Sequence, residues 1–132
     1  AGADLAPQPG LAQLPALVER ARAAGTPVTL DVEGEPRPLP ASLDLSAFRI
    51  VQEALTNVHK HAAGAPASVR VVWGRQALGL RVLDSGTGGA SRVNGSGHGL
   101  VGMRERVKLH GGELHTGARP GGGFEVTAEL PL

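Results

Sequence analysis

Twenty glycines and ten prolines cut this chain into short segments, and that punctuation restricts it to an alternation of helices and strands. The breakers gather at discrete points, such as Gly25 to Pro27, Gly34 to Pro40 and Gly111-Gly112, and do not form one low-complexity tract. Between them the apolar period changes. Leu14, Leu17, Val18 and Ala21 keep three- and four-residue spacing, which predicts a helix from Leu11 to a stop at Gly25. Pro15 suits the first turn of such a helix, where its missing N–H costs nothing. Residues 26–33 alternate as a strand, 43–61 read as a long helix, and 67–73 and 78–84 as strands, the first carrying Val69, Val71 and Val72. A glycine-rich stretch, 85–97, precedes a helix over 99–110, and strands at 113–117 and 124–130 flank a turn. The order α, β, α, β, β, α, β, β predicts an α/β (α+β) two-layer sandwich, a mixed sheet with helices on one face.

The chain has 132 residues, the size of one domain, and its 41% hydrophobic content is enough for a core. Only Phe48, Trp73 and Phe124 are aromatic, so Leu, Val and Ala must build that core. Thirteen basic and twelve acidic residues give a net charge of +1, without the basic excess of a nucleic-acid binder. No apolar run approaches the ~18 residues of a membrane-spanning helix, and no signal-peptide pattern is present. The absence of cysteine removes disulfides and thiolate metal sites and fits a reducing cytosol. Beginning at Ala1 rather than Met, the chain reads as an excised fragment. Residues 1–10, with Pro7, Pro9 and Gly10, read as a linker, and 11–132 as the domain.

Three motifs carry chemistry. On the long helix, Phe48, Val51, Leu55 and Val58 form an apolar stripe, while Glu53, Asn57, Lys60 and His61 fall on a second stripe about half a turn away. A solvated helix face is the ordinary account of such a stripe. Asn57 departs from it, because asparagine is a poor helix former, and an amide oxygen is a hard ligand suited to Mg²⁺. Next, Asp84-Ser85-Gly86-Thr87-Gly88 ends a strand. It is either an Asp turn or a carboxylate at a pocket edge, with glycines that let the backbone approach a ligand. Finally, Gly97-His98-Gly99-Leu100-Val101-Gly102-Met103 opens a helix, where free N–H groups favour phosphate. It spells G-x-G-x-x-G, but a polar loop precedes it where a dinucleotide fold needs a strand. No P-loop sequence occurs.

The segment Phe48 to Ala62, FRIVQEALTNVHKHA, closely resembles the N box of bacterial sensor histidine kinases, in particular the subgroup of nitrate and membrane-fluidity sensors. Residues 84–88 match that family's D-x-G-x-G box, and 97–107 its second glycine box, in the same order and spacing. The resemblance implies the Bergerat ATP-binding fold shared with gyrase-type ATPases. It implies that Asp84 bonds the adenine amino group, that Asn57 coordinates Mg²⁺ bridging the phosphates, and that Lys60 and His61 lie near them. Glu53 is the implied base for the incoming histidine. Gly86, Gly88, Gly97, His98, Gly99, Leu100, Gly102 and Met103 line the nucleotide, and residues 89–97 form a lid with Arg92 and Asn94 as phosphate contacts. One departure stands out: the family's last box often reads Gly-Thr, and here it reads Gly122-Gly123-Phe124.

By the same resemblance the chain binds Mg-ATP and transfers the γ-phosphoryl to a histidine of a separate dimerisation domain, which passes it to a response regulator. It implies a cytoplasmic, monomeric fragment of a homodimeric protein, with no nucleic-acid or membrane contact of its own. None of the five histidines sits in the family's phosphoacceptor context, and His59, His110 and His115 lack zinc-ligand pairing. Two other readings compete: a serine kinase of the anti-sigma-factor type on the same fold, and a regulatory module that binds ATP without catalysis. The Met103-Arg104-Glu105-Arg106 run opposes the first, and Glu53, Asn57 and Asp84 together oppose the second.

Overall fold

The computed structural model describes residues 8–86 and 97–132. A single 3₁₀ turn, Leu11–Gln13, leads into α1 (Leu14–Ala23). Then come β1 (Val28–Glu33), α2 (Ala41–His61), β2 (Ala67–Trp73), β3 (Ala77–Asp84), α3 (Gly97–Leu109), β4 (Glu113–Ala118) and β5 (Phe124–Pro131). The expected order holds, with ends shifted by a few residues. Pro15 takes its place in the first turn of α1, and Thr26, expected at the start of the first strand, instead lies buried before it.

The five strands lie in the order β1-β2-β3-β5-β4, with β1 and β2 parallel and the other pairs antiparallel. Period-two alternation makes this a two-layer structure. Val69, Val82 and Val126 line up across β2, β3 and β5, as do Val71, Leu80 and Ala128, and every one is buried. The opposite face carries Arg70, Arg81 and Thr127 in register, with ion pairs between Arg70 and Glu33 and between Arg81 and Glu125 (3.6 Å). These pairs are exposed and add little stability; their effect is to keep that face polar. Among the described residues the three α-helices therefore cover one side only.

α2 is the central helix. Leu43, Ala47, Phe48, Ile50, Val51, Ala54, Leu55 and Val58 are all buried, an arc wide enough to meet the sheet, α1 and α3 together. Its first turn also anchors the chain entry: Asp44 Oδ1 accepts the N–H of Leu11 at 2.9 Å. At the far end of α3, the His110 ring nitrogen lies 3.0 Å from the Ser46 hydroxyl near the start of α2. This contact joins the C-terminal end of α3 to the start of α2, and the two helices pack against each other. Among the described residues no helix is long and apolar enough to cross a membrane.

Candidate functional site

Asp84 is the last residue of β3, on the same face as Leu78, Leu80 and Val82, and is 2% exposed. Its row across the sheet is Ala67, Asp84, Phe124. A carboxylate therefore occupies a position that the alternation reserves for an apolar side chain. Burying a charge costs several kcal/mol unless it is bonded. One bond is the N–H of Gly86, which donates to Asp84 Oδ1 at 2.9 Å. The strand exit is pinned as well: Pro66 O accepts both the N–H of Ser85 (3.1 Å) and its hydroxyl (3.3 Å).

The β4–β5 turn closes over the same point. Gly123 has φ +95°, and a Cβ there would sit 2.0 Å from the Asp84 carbonyl oxygen, so only glycine fits. Phe124, where the final box departs from the resembled pattern, is 3% exposed and pairs with Asp84 as part of the core.

Asn57 lies one turn from the end of α2, and the loop after α2 leads into Ala67, the strand partner of Asp84. This brings Asn57 and Asp84 to the same end of the molecule. Asn57 is 7% exposed and follows Ile50 and Ala54 at helical spacing, so it belongs to the edge of the buried arc. Lys60 and His61 are exposed and Glu53 is half-buried. The stripe expected from the sequence is thus parted, because the buried arc of α2 is wider than the four apolar residues chosen to define it. Glu53 still stands one turn before Asn57.

Gly97, His98 and Gly99 form the first turn of α3, whose leading N–H groups lack helical partners. Gly102 is half-buried, and Leu100 (8% exposed) and Met103 (0%) belong to the core. Gly88 and the lid residues Arg92 and Asn94 lie outside the described residues. A cleft of about 680 Å³ opens beside Asp84, lined also by Arg22, Ser68, Ser85 and Arg119. It contains none of Glu53, Asn57, Lys60 and His61, so it adjoins the Asp84–Asn57 region without being the same space.

The arrangement offers a buried acceptor at the sheet end, an amide on α2 and a glycine-opened terminus on α3, which packs against α2. The family described as histidine kinase-, DNA gyrase B- and HSP90-like ATPases matches residues 43–132. The chain belongs to this ATPase family. Its ATPase-family segment runs from the first turn of α2 to the last residue and so includes Glu53, Asn57, Asp84 and the start of α3. Among relatives, the sensor histidine kinase LnrJ of Bacillus subtilis is 34% identical over 109 residues, covering 83% of this chain and 27% of LnrJ. The histidine-protein kinase/phosphatase DegS of Brevibacillus brevis is 31% identical over 100 residues, 75% of this chain and 26% of DegS. This chain therefore spans about a quarter of the length of those relatives. The blue-light activated histidine kinase of Erythrobacter litoralis EL346 superposes with a TM-score of 0.77 at 24% identity, over 94% of this chain and 42% of that one. The fold is that of histidine kinase catalytic domains, the Bergerat type.

Sequence reading missed two contributors. Arg119 reaches the Asp84 carbonyl from a turn 35 residues away, and nothing local to either residue marks that contact. Gly123 was legible only as part of a glycine run.

Proposed function

We propose that this chain is the catalytic domain of a sensor histidine kinase: it binds Mg-ATP and transfers the γ-phosphoryl to a histidine on a separate dimerisation domain. On this reading residues 1–10 are the linker to that domain and 11–132 the catalytic unit. The observation that carries the proposal is the buried, bonded carboxylate of Asp84 at an apolar sheet position, facing the helix layer that bears Asn57. Such a carboxylate accepts a hydrogen bond from an exocyclic amine, the group that adenine carries where hypoxanthine has a carbonyl.

The donor set fits a magnesium ion shared with phosphates. Among the described residues no three His, Cys, Asp or Glu side chains gather into a cage, whereas Mg²⁺ in phosphate sites takes only one or two protein ligands. Asn57 would supply that ligand. Bound there, the ion neutralises charge on the phosphates. Lys60 and His61, exposed on the last turn of α2, add positive charge and donors beside them. Gly97, His98, Gly99 and Gly102 let the opening of α3 approach the phosphates through its N–H groups. Gly86 and Gly88 are assigned to the nucleobase side of the site by the D-x-G-x-G match, and Leu100 and Met103 to its apolar floor. Glu53 orients the incoming imidazole and accepts the proton of the ring nitrogen that does not attack. The other nitrogen forms the N–P bond as the bond from γ-phosphorus to the bridging oxygen breaks and ADP leaves.

The acceptor domain, a response regulator and homodimerisation through the acceptor domain complete the proposed pathway. Phosphotransfer from ATP to a separately supplied acceptor domain tests it. Acid-labile label on the acceptor histidine supports it; label on a serine, or none, contradicts it.

A further inference from the structure

We propose that Arg119 is a positioning residue for nucleobase recognition: its guanidinium clamps the main-chain carbonyl of Asp84 and so fixes the carboxylate that meets adenine. The inference rests on the reading of Asp84 as the adenine acceptor. Arg119 Nη1 donates to Asp84 O at 2.8 Å, and the arginine is half-buried. A charged donor makes roughly twice the bond of a neutral one.

The clamp acts through the peptide plane. Asp84 O belongs to the Asp84–Ser85 peptide, and the Gly86 N–H follows in the next peptide plane, joined to it through the Ser85 Cα. That N–H donates to Asp84 Oδ1 at 2.9 Å. Holding the carbonyl restrains the main chain from which both the carboxylate and its Gly86 donor extend. Ser85 bonds Pro66 O on one side and Gly123 closes over the carbonyl on another, and Arg119 adds a charged donor to that carbonyl. Arg119 is itself placed by its turn: its N–H donates to Gly123 O at 2.9 Å, and its own carbonyl accepts from Gly122 N at 3.1 Å.

Strand pairing does not need this contact. The β3–β5 register is complete from Ala77 to Asp84 without it. Asp84 and Arg119 both line the 680 Å³ cleft.

The test measures ATP against inosine triphosphate, which carries a carbonyl where adenine has its amine. Both are titrated into the wild-type chain, Arg119→Ala, Arg119→Lys, Asp84→Asn and the double variant with Arg119→Ala and Asp84→Asn. Arg119→Ala is expected to weaken ATP about 3- to 10-fold and to change the inosine nucleotide by less than about twofold. Arg119→Lys recovers part of the preference, and Arg119→Ala adds nothing on top of Asp84→Asn. Equal loss for both nucleotides, or no loss, overturns the proposal. Should thermal melting show Arg119→Ala unfolded, Arg119→Lys decides: a reduced preference supports the clamp and an unchanged one overturns it. If Asp84→Asn itself leaves the preference intact, the adenine reading has failed and the clamp with it. A preference lost in Asp84→Asn but kept in Arg119→Ala refutes the clamp alone.

Discussion

Gly123 packs against Asp84 so closely that a Cβ on the glycine would lie 2.0 Å from the Asp84 carbonyl oxygen. Its φ of +95° independently disfavours any other residue. Gly123→Ala is expected to cost on the order of 2–4 kcal/mol, combining left-handed strain with backbone displacement. Gly25 has φ +102° but open space around it, so Gly25→Ala should cost only about 1 kcal/mol. Chemical denaturation of both variants checks this. Equal losses would mean that the close approach at Asp84 is absent.

The Asp84 carboxylate, buried and bonded to Gly86, is expected to make a charge-assisted bond to adenine. Asp84→Asn keeps the shape and removes the charge. ATP affinity should fall roughly 10- to 100-fold, the equivalent of about 1.5–3 kcal/mol, with the melting temperature little changed. An unaltered dissociation constant would reduce Asp84 to a turn residue.

Much of this was readable in the sequence, for identifiable reasons. Helices and strands separated cleanly because glycine and proline mark nearly every boundary and the apolar periods differ. Asp84 could have been read more sharply. The run Leu78, Leu80, Val82, Asp84 continues a strict alternation, so the sequence itself says that the acid faces the core. Asn57 departs from the solvated stripe it shares with Glu53, Lys60 and His61 and is buried, because four apolar residues understate the buried arc of a helix with neighbours on three sides. Arg119 was invisible, since its contact depends on a tertiary approach between a turn and a strand end.

Glu53 and Asn57 stand one turn apart on α2, yet the first is half-buried and the second buried. Their substitutions should separate chemistry from binding. Glu53→Gln is expected to leave ATP affinity nearly unchanged and to lower phosphotransfer to a supplied acceptor domain roughly 10²–10⁴-fold. Asn57→Ala should instead weaken Mg²⁺-dependent binding itself. Normal transfer by Glu53→Gln would return Glu53 to the role of a solvated helix carboxylate.

The packing of α3 on α2 is also open to test. Met103 is fully buried and Val101 is 52% exposed on the same helix. Met103→Ala should cost about 2–5 kcal/mol, and Val101→Ala no more than about 0.5 kcal/mol. Urea midpoints for the two variants check this; a mild Met103→Ala would place α3 elsewhere.

Calorimetric titration of ATP into this chain, with and without Mg²⁺, tests the central claim most directly. The buried Asp84, the Asn57 amide and the opening of α3 predict saturable one-to-one binding that tightens with Mg²⁺ and is competed by a non-hydrolysable ATP analogue. No saturable heat in either condition would contradict the account.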